Sequence, residues 1–163
     1  GGGDSPKKPK TPRTLASYSS TDAYVRMTID GEINANQEHE VVRVTVNRQT
    51  ATYEQLQGYE GTVLNTQNFA NNEASYNNFL YALAHAGFTK GDPDKLLANE
   101  RGQCPLGSRF IFELVDGGKT IQRYWATTCS SPKTYKGNLG ATLELFERQI
   151  PNYDDLTEDL ENL

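Results

Sequence analysis

QCPLGSRFIFELVDGGKTIQRYWATTCSS, residues 103–131, is the stretch on which the fold turns. Asp116-Gly117 is a favoured two-residue hairpin turn, because both central positions of a type I′ turn need positive φ. Carried outward from that dipeptide, the pairing sets Cys104 directly opposite Cys129. The same register puts Phe110, Phe112 and Leu114 on one face with Ile121 and Trp125, a wall for a core. Tyr124 then shares the opposite face with Arg109 and Ile111. A turn at Gly117-Gly118 keeps that parity and makes the cysteines near neighbours instead of direct partners. Pro105 and Gly107 lie just inside Cys104, so an irregular open end is expected beside the bridge.

The chain has two cysteines, each within reach of the other in this register, which favours a structural disulfide over buried thiols. A catalytic cysteine would need a histidine close by, and the chain holds only His39 and His85. Closing a loop of roughly 25 residues stabilises by about 3 kcal/mol, chiefly through the unfolded state. A Cys104–Cys129 bridge implies an oxidising compartment.

Outward from the hairpin, the chain alternates with period two in its first third. Val25, Met27 and Ile29 alternate with Tyr24, Arg26 and Thr28, and Asp30-Gly31 supplies a turn. Val42, Val44 and Val46 repeat the pattern, Thr50 to Tyr53 returns as a hairpin, and Thr62 to Leu64 adds a short strand. Asn71-Asn72-Glu73 opens a helix whose Tyr76, Phe79, Leu80 and Leu83 form one apolar stripe, closed by Gly87. Asp92-Pro93 starts a short second helix through Leu97. Leu139, Leu143, Phe146 and Ile150 keep helical spacing up to Pro151, and Tyr153, Leu156, Leu160 and Leu163 continue it in a last piece. No internal repeat occurs. Strands, then helices, then a hairpin, then helices predict an α+β fold: an antiparallel sheet including the Cys-stapled hairpin, with helices packed mainly on one face.

The sequence, 163 residues long, suits one domain. Mean hydropathy is −0.70, but nine Tyr, six Phe and one Trp argue against disorder of the whole. No run reaches the roughly 18 apolar residues of a membrane span. The formal charge of −5 is uneven. Lys7, Lys8, Lys10 and Arg13 oppose Asp4 near the start, whereas Glu144, Glu147, Asp154, Asp155, Glu158, Asp159 and Glu161 oppose Arg148 near the end. An acidic domain offers no surface for a phosphate backbone, which argues against nucleic acid.

Gly1-Gly2-Gly3-Asp4-Ser5-Pro6-Lys7-Lys8-Pro9-Lys10-Thr11-Pro12 combines glycines, spaced prolines and like charges, and reads as a solvated spacer. In these residues the chain resembles the mature ectodomain of a bacterial lipoprotein, whose small-residue and Pro/Lys-rich linker follows a lipidated cysteine. The resemblance covers about the first seventeen residues, is one of composition, and lacks the lipid-bearing cysteine. It implies a cell-envelope or extracellular location, with the membrane met only through a lipid tether. The expected organisation is a disordered tethering linker at 1–20 and a single α+β domain at 21–163.

Candidate chemistry is sparse. His85 precedes the helix-ending Gly87 by two residues, where a histidine interacts favourably with the helix dipole. In Glu38-His39-Glu40 strand alternation sends the two carboxylates away from the imidazole, so they do not converge on a metal. Asp154, Asp155, Glu158, Asp159 and Glu161 lack a glycine-turned calcium loop and read as a solvated helix face. No nucleophile-elbow, phosphate-loop, zinc-helix or C-x-x-C motif occurs, so no catalytic residue, cofactor or metal is expected. Arg109 and Tyr124, on the face opposite the core wall, form the candidate contact surface.

The leading expectation is therefore a monomeric, exported and surface-tethered binding domain for an envelope or extracellular protein or glycan. The alternative is a cell-envelope hydrolase using acidic residues. A deep pocket with converging ionisable groups would favour the enzyme, and a flat exposed aromatic patch the binder.

Overall fold

A computed structural model of the chain describes residues 2–3 and 13–163; most of the spacer expected at the N-terminus lies outside the described residues. Six strands, β1 (Tyr24–Asp30), β2 (Glu40–Val46), β3 (Thr50–Gln57), β4 (Thr62–Ala70), β5 (Arg109–Asp116) and β6 (Lys119–Thr127), form one antiparallel sheet in the order β4-β3-β2-β1-β5-β6. The helices are α1 (Glu73–His85), α2 (Leu139–Glu147) and α3 (Tyr153–Thr157). The α+β class, the antiparallel sheet and the one-sided helical cover all agree with the sequence.

Burial alternates along β1 and β2 as the valine pattern requires, with Val25, Met27, Ile29, Val42, Val44 and Val46 all turned inward. Across the ladder they align with Tyr53 and Ala51 of β3 and with Phe110, Phe112 and Leu114 of β5. α1 lays Tyr76, Phe79, Leu80 and Leu83 on this face, and α2 adds Phe146. Phe146 meets Phe79 edge-on at 5.3 Å and Phe112 at 6.1 Å between ring centroids, so the helices and the sheet share one aromatic core. Asn72 caps α1 by accepting from the Ser75 amide, and Asn138 caps α2 by accepting from the Ala141 amide.

Three expectations change. Leu15–Ser20, assigned by sequence to the linker, is a 3-10 helix packed on α1. Leu15 and Tyr18 stand three residues apart, on one side of such a helix, and both are buried. The segment after Asp92-Pro93 yields only a 3-10 turn, Lys95–Leu97, and Leu96 is almost fully exposed. β4 runs to Ala70, well past Leu64.

The hairpin differs in a way that matters more. The turn is at Gly117-Gly118, both with positive φ, so Asp116 pairs with Lys119 and Val115 with Thr120. Beyond them Leu114 pairs with Gln122, leaving Ile121 as an extra residue on β6. That bulge reverses the facing of every residue that follows on β6. Tyr124 therefore lies opposite Phe112 on the helix-covered face, whereas Trp125 lies opposite Ile111 on the other. The expected wall of Phe110, Phe112, Leu114, Ile121 and Trp125 is accordingly split: Ile121 is exposed and Trp125 is buried against the loop that precedes β5.

Candidate functional site

The face of the sheet away from the helices carries polar rows set by the register. Glu54, Arg43, Thr28, Ile111 and Trp125 form one row across five strands. Arg26, Glu113 and Arg123 form part of the next. Two loops rise on either side of this floor. One, residues 31–39, leans with Tyr59 over the end of β1; the other, residues 97–104, approaches from the β6 side. Between them lies a cleft of about 680 Å³, lined among others by Asp30, His39, Arg43, Tyr59, Glu100, Glu113 and Arg123.

The loop walls are tied to the floor by one arginine. Arg109 is 2% exposed, and its guanidinium has all five N–H groups placed. Nε and Nη2 donate to Asp30 Oδ2 at 3.2 and 3.1 Å, and Nη2 also donates to the Gly31 carbonyl at 2.5 Å. Nη1 donates to the Gln103 and Cys104 carbonyls at 3.3 and 3.4 Å. The other oxygen of Asp30 meets His39 Nε2 at 2.6 Å. His39 Nδ1 faces the Glu32 carbonyl at 2.8 Å, and since a carbonyl only accepts, Nδ1 carries a hydrogen. Arg109, Asp30 and His39 thus form a polar chain, buried at both ends, that joins both loops to the end of β1.

The disulfide acts on the same wall. Cys104 and Cys129 are bridged, as the sequence predicts, with their Cα atoms 5.9 Å apart. Cys104 precedes β5 and Cys129 follows β6, so the bridge holds the loop that carries Glu100 to the far end of the hairpin. Trp125 Nε1 adds a hydrogen bond of 2.7 Å to the Leu97 carbonyl, pinning the start of that loop.

Two arginines and a carboxylate face the cleft differently from Arg109. Arg123 Nη2 donates to Glu100 Oε1 at 2.8 Å and its Nη1 to the Ala98 carbonyl at 3.2 Å. Burial works to raise the Glu100 carboxyl, but the hydrogen bond and charge of Arg123, with Arg101, outweigh it and hold the group below its ordinary range. Glu100 Oε2 is buried and meets no partner, and Arg43 Nε is buried and likewise unmatched. Arg43 reaches Glu54 only at 3.9 Å.

Tyr59 is the aromatic element of the site. Its ring stacks on His39 at 4.1 Å with an interplanar angle of 14°. Its hydroxyl accepts from the Asn34 amide at 3.1 Å and donates to the Asn34 carbonyl at 2.7 Å. Both anchors fix the ring, yet Tyr59 is 55% exposed. It is a rigid aromatic platform at the rim.

The structure does not bring Arg109 and Tyr124 together as a contact surface. The Ile121 bulge places them on opposite faces, Arg109 has no donor to spare, and Tyr124 packs under Gly91, where a Cβ would come within 2.4 Å of its ring. His39 is confirmed at the entrance to β2 but as a buried link, and His85 is exposed in the last turn of α1. Sequence reasoning missed Arg43, Tyr59 and Glu100. Only Arg43 had a signal, as the charged member of an alternating valine strand.

No protein-family model matches the chain, and no curated protein aligns with it significantly.

Proposed function

We propose that this chain is an exported binding domain that takes a neutral, polyhydroxylated ligand, a glycan, in the cleft over β1, β2 and β5. One observation carries the reading: the fixed, 55% exposed ring of Tyr59 stands at the rim of a cleft whose lining mixes arginine donors, Arg43 and Arg123, with carboxylate acceptors, Glu100 and Glu113. A hydroxyl both donates and accepts, so a sugar suits such a mixed lining. An anionic ligand would meet Glu100 and Glu113, and a cationic one Arg43 and Arg123. Tyr59 supplies a stacking surface for a sugar ring, fixed before the ligand arrives.

The disulfide accords with an oxidising, extracellular setting, and the N-terminal spacer with attachment to a cell envelope through a lipid. The hydrolase alternative has one observation in its favour, that Glu100 and Glu113 both line the cleft. A glycosidase needs one carboxyl that holds a proton and one that is ionised, and Glu100, held low by Arg123, suits only the second role.

The test is a glycan array followed by calorimetry with the retained oligosaccharide. Micromolar or weaker binding of a neutral glycan is expected, falling about tenfold or more in Tyr59→Ala and in Arg43→Gln with the melting temperature held. An array that retains nothing, or affinity indifferent to both substitutions, overturns the proposal. Cleavage of the bound glycan, seen by chromatography, selects the hydrolase.

A further inference from the structure

The two edges of the sheet are finished in different ways. On the β6 edge the backbone of Trp125 is occupied: its amide donates to Thr134 Oγ1, and its carbonyl accepts from the Thr134 and Tyr135 amides. Lys119 and Arg123 set charge along the same strand, and the Gln122 side chain bonds to the Phe88 carbonyl. Charge and a covering loop are the usual means by which an edge is closed to further pairing.

β4 has none of these. Its nine residues, TVLNTQNFA, contain no charge and no proline in a chain that is 23% charged. Among the described residues, no backbone group of β4 bonds to anything but β3. Phe69 packs against the core, but most of the strand is exposed on both faces, including Val63 and Leu64. Its one irregularity, the unpaired Leu64, lies near the start and leaves Asn65 to Ala70 in regular register with β3.

We infer that β4 pairs antiparallel with β4 of a second copy, joining two six-stranded sheets into one across a twofold axis. The choice of a second copy rests on charge. A twofold faces a segment with a copy of itself, so carboxylates in it would meet the partner's carboxylates across the axis, and β4 carries none in a chain of net charge −5. Its sequence is also self-complementary. Centred on Thr66, the pairing sets Thr66 against the partner's Thr66 and Asn65 against the partner's Gln67. Thr–Thr and amide–amide pairs of this kind favour strand association by a few tenths of a kcal/mol to about 1 kcal/mol each. An edge contact alone buries less surface than an obligate dimer, so the association is concentration-dependent. This replaces the monomer expected from sequence, and it is independent of the cleft.

Sedimentation of the intact chain from micromolar to millimolar protein reads the proposal directly. The wild type is expected to shift from monomer to dimer, with β4 amides exchanging more slowly as concentration rises. Thr66 is exposed, so Thr66→Lys and Thr66→Glu leave the core untouched, which circular dichroism verifies. Each variant alone weakens dimerisation at least about tenfold by facing like charges, and an equimolar mixture of the two restores it by facing opposite ones. A wild type that stays monomeric throughout, a dimer indifferent to both substitutions, or a mixture no tighter than its parts each overturns the pairing.

Discussion

Asp30 shows how one carboxylate can be worth more than its exposure suggests. Its own side chain is 28% exposed, but it is the counter-charge for an arginine at 2% and the hydrogen-bond partner of a buried histidine. Asp30→Ala leaves the guanidinium without its charge partner in a place water scarcely reaches. The expected loss is about 3–5 kcal/mol, read as a fall in the urea midpoint at constant m. A change below about 1 kcal/mol would show that the chain of polar groups holds nothing together. Two other carboxylates pull stability in opposite directions with pH. Glu100 titrates lower folded than unfolded, so its contribution is complete above the ordinary glutamate range, about 4.3, and is lost as pH falls through the folded value. Burial first, then Asp154 and Glu144, push Glu147 upward; its ionised form therefore costs stability at neutral pH, and protonation relieves that cost. Glu147→Gln should raise the melting temperature at pH 7 with the gain fading in acid, and Glu100→Gln should lower it with the loss fading in acid. Melting curves from pH 3 to 8 check both signs.

At the level of the strand and loop, much of the fold was written locally and the site was not. The valines of β1 and β2, the stripe on α1 and the cysteine pair are short-range patterns, and each found its place. The bulge at Ile121 has no comparable mark, because nothing in Lys-Thr-Ile-Gln says where a ladder skips a residue. A single skipped position was enough to part Arg109 from Tyr124 and to bury Trp125 on the far face. Tyr59, Arg43 and Glu100 come from a turn, a strand and a loop far apart in the chain, so their convergence belongs to the tertiary structure alone. The disulfide also takes on a wider part here than cross-linking a hairpin. Reducing it, or replacing both cysteines by serine, should cost about 2–4 kcal/mol. Hydrogen exchange should quicken first in residues 97–107, the wall that carries Glu100, while α1 amides stay protected. Uniform quickening across the chain would assign the bridge a purely global role.

In the whole molecule, β1 is the hinge of the design. It sits at the centre of the sheet with β2 on one side and β5 on the other, so the N-terminal meander and the cysteine hairpin are sewn together along a single strand. Helices close one side of that sheet and leave the other open, and the open side becomes a cleft only because two loops rise at the end of β1. Direction along β1 then has a meaning for display. The helix Leu15–Ser20 enters at Tyr24, whereas Asp30, His39 and the cleft gather at the far end, six residues or roughly 20 Å further on. Anything that grips the molecule at the Leu15–Ser20 end of β1 therefore leaves the rim of the cleft clear.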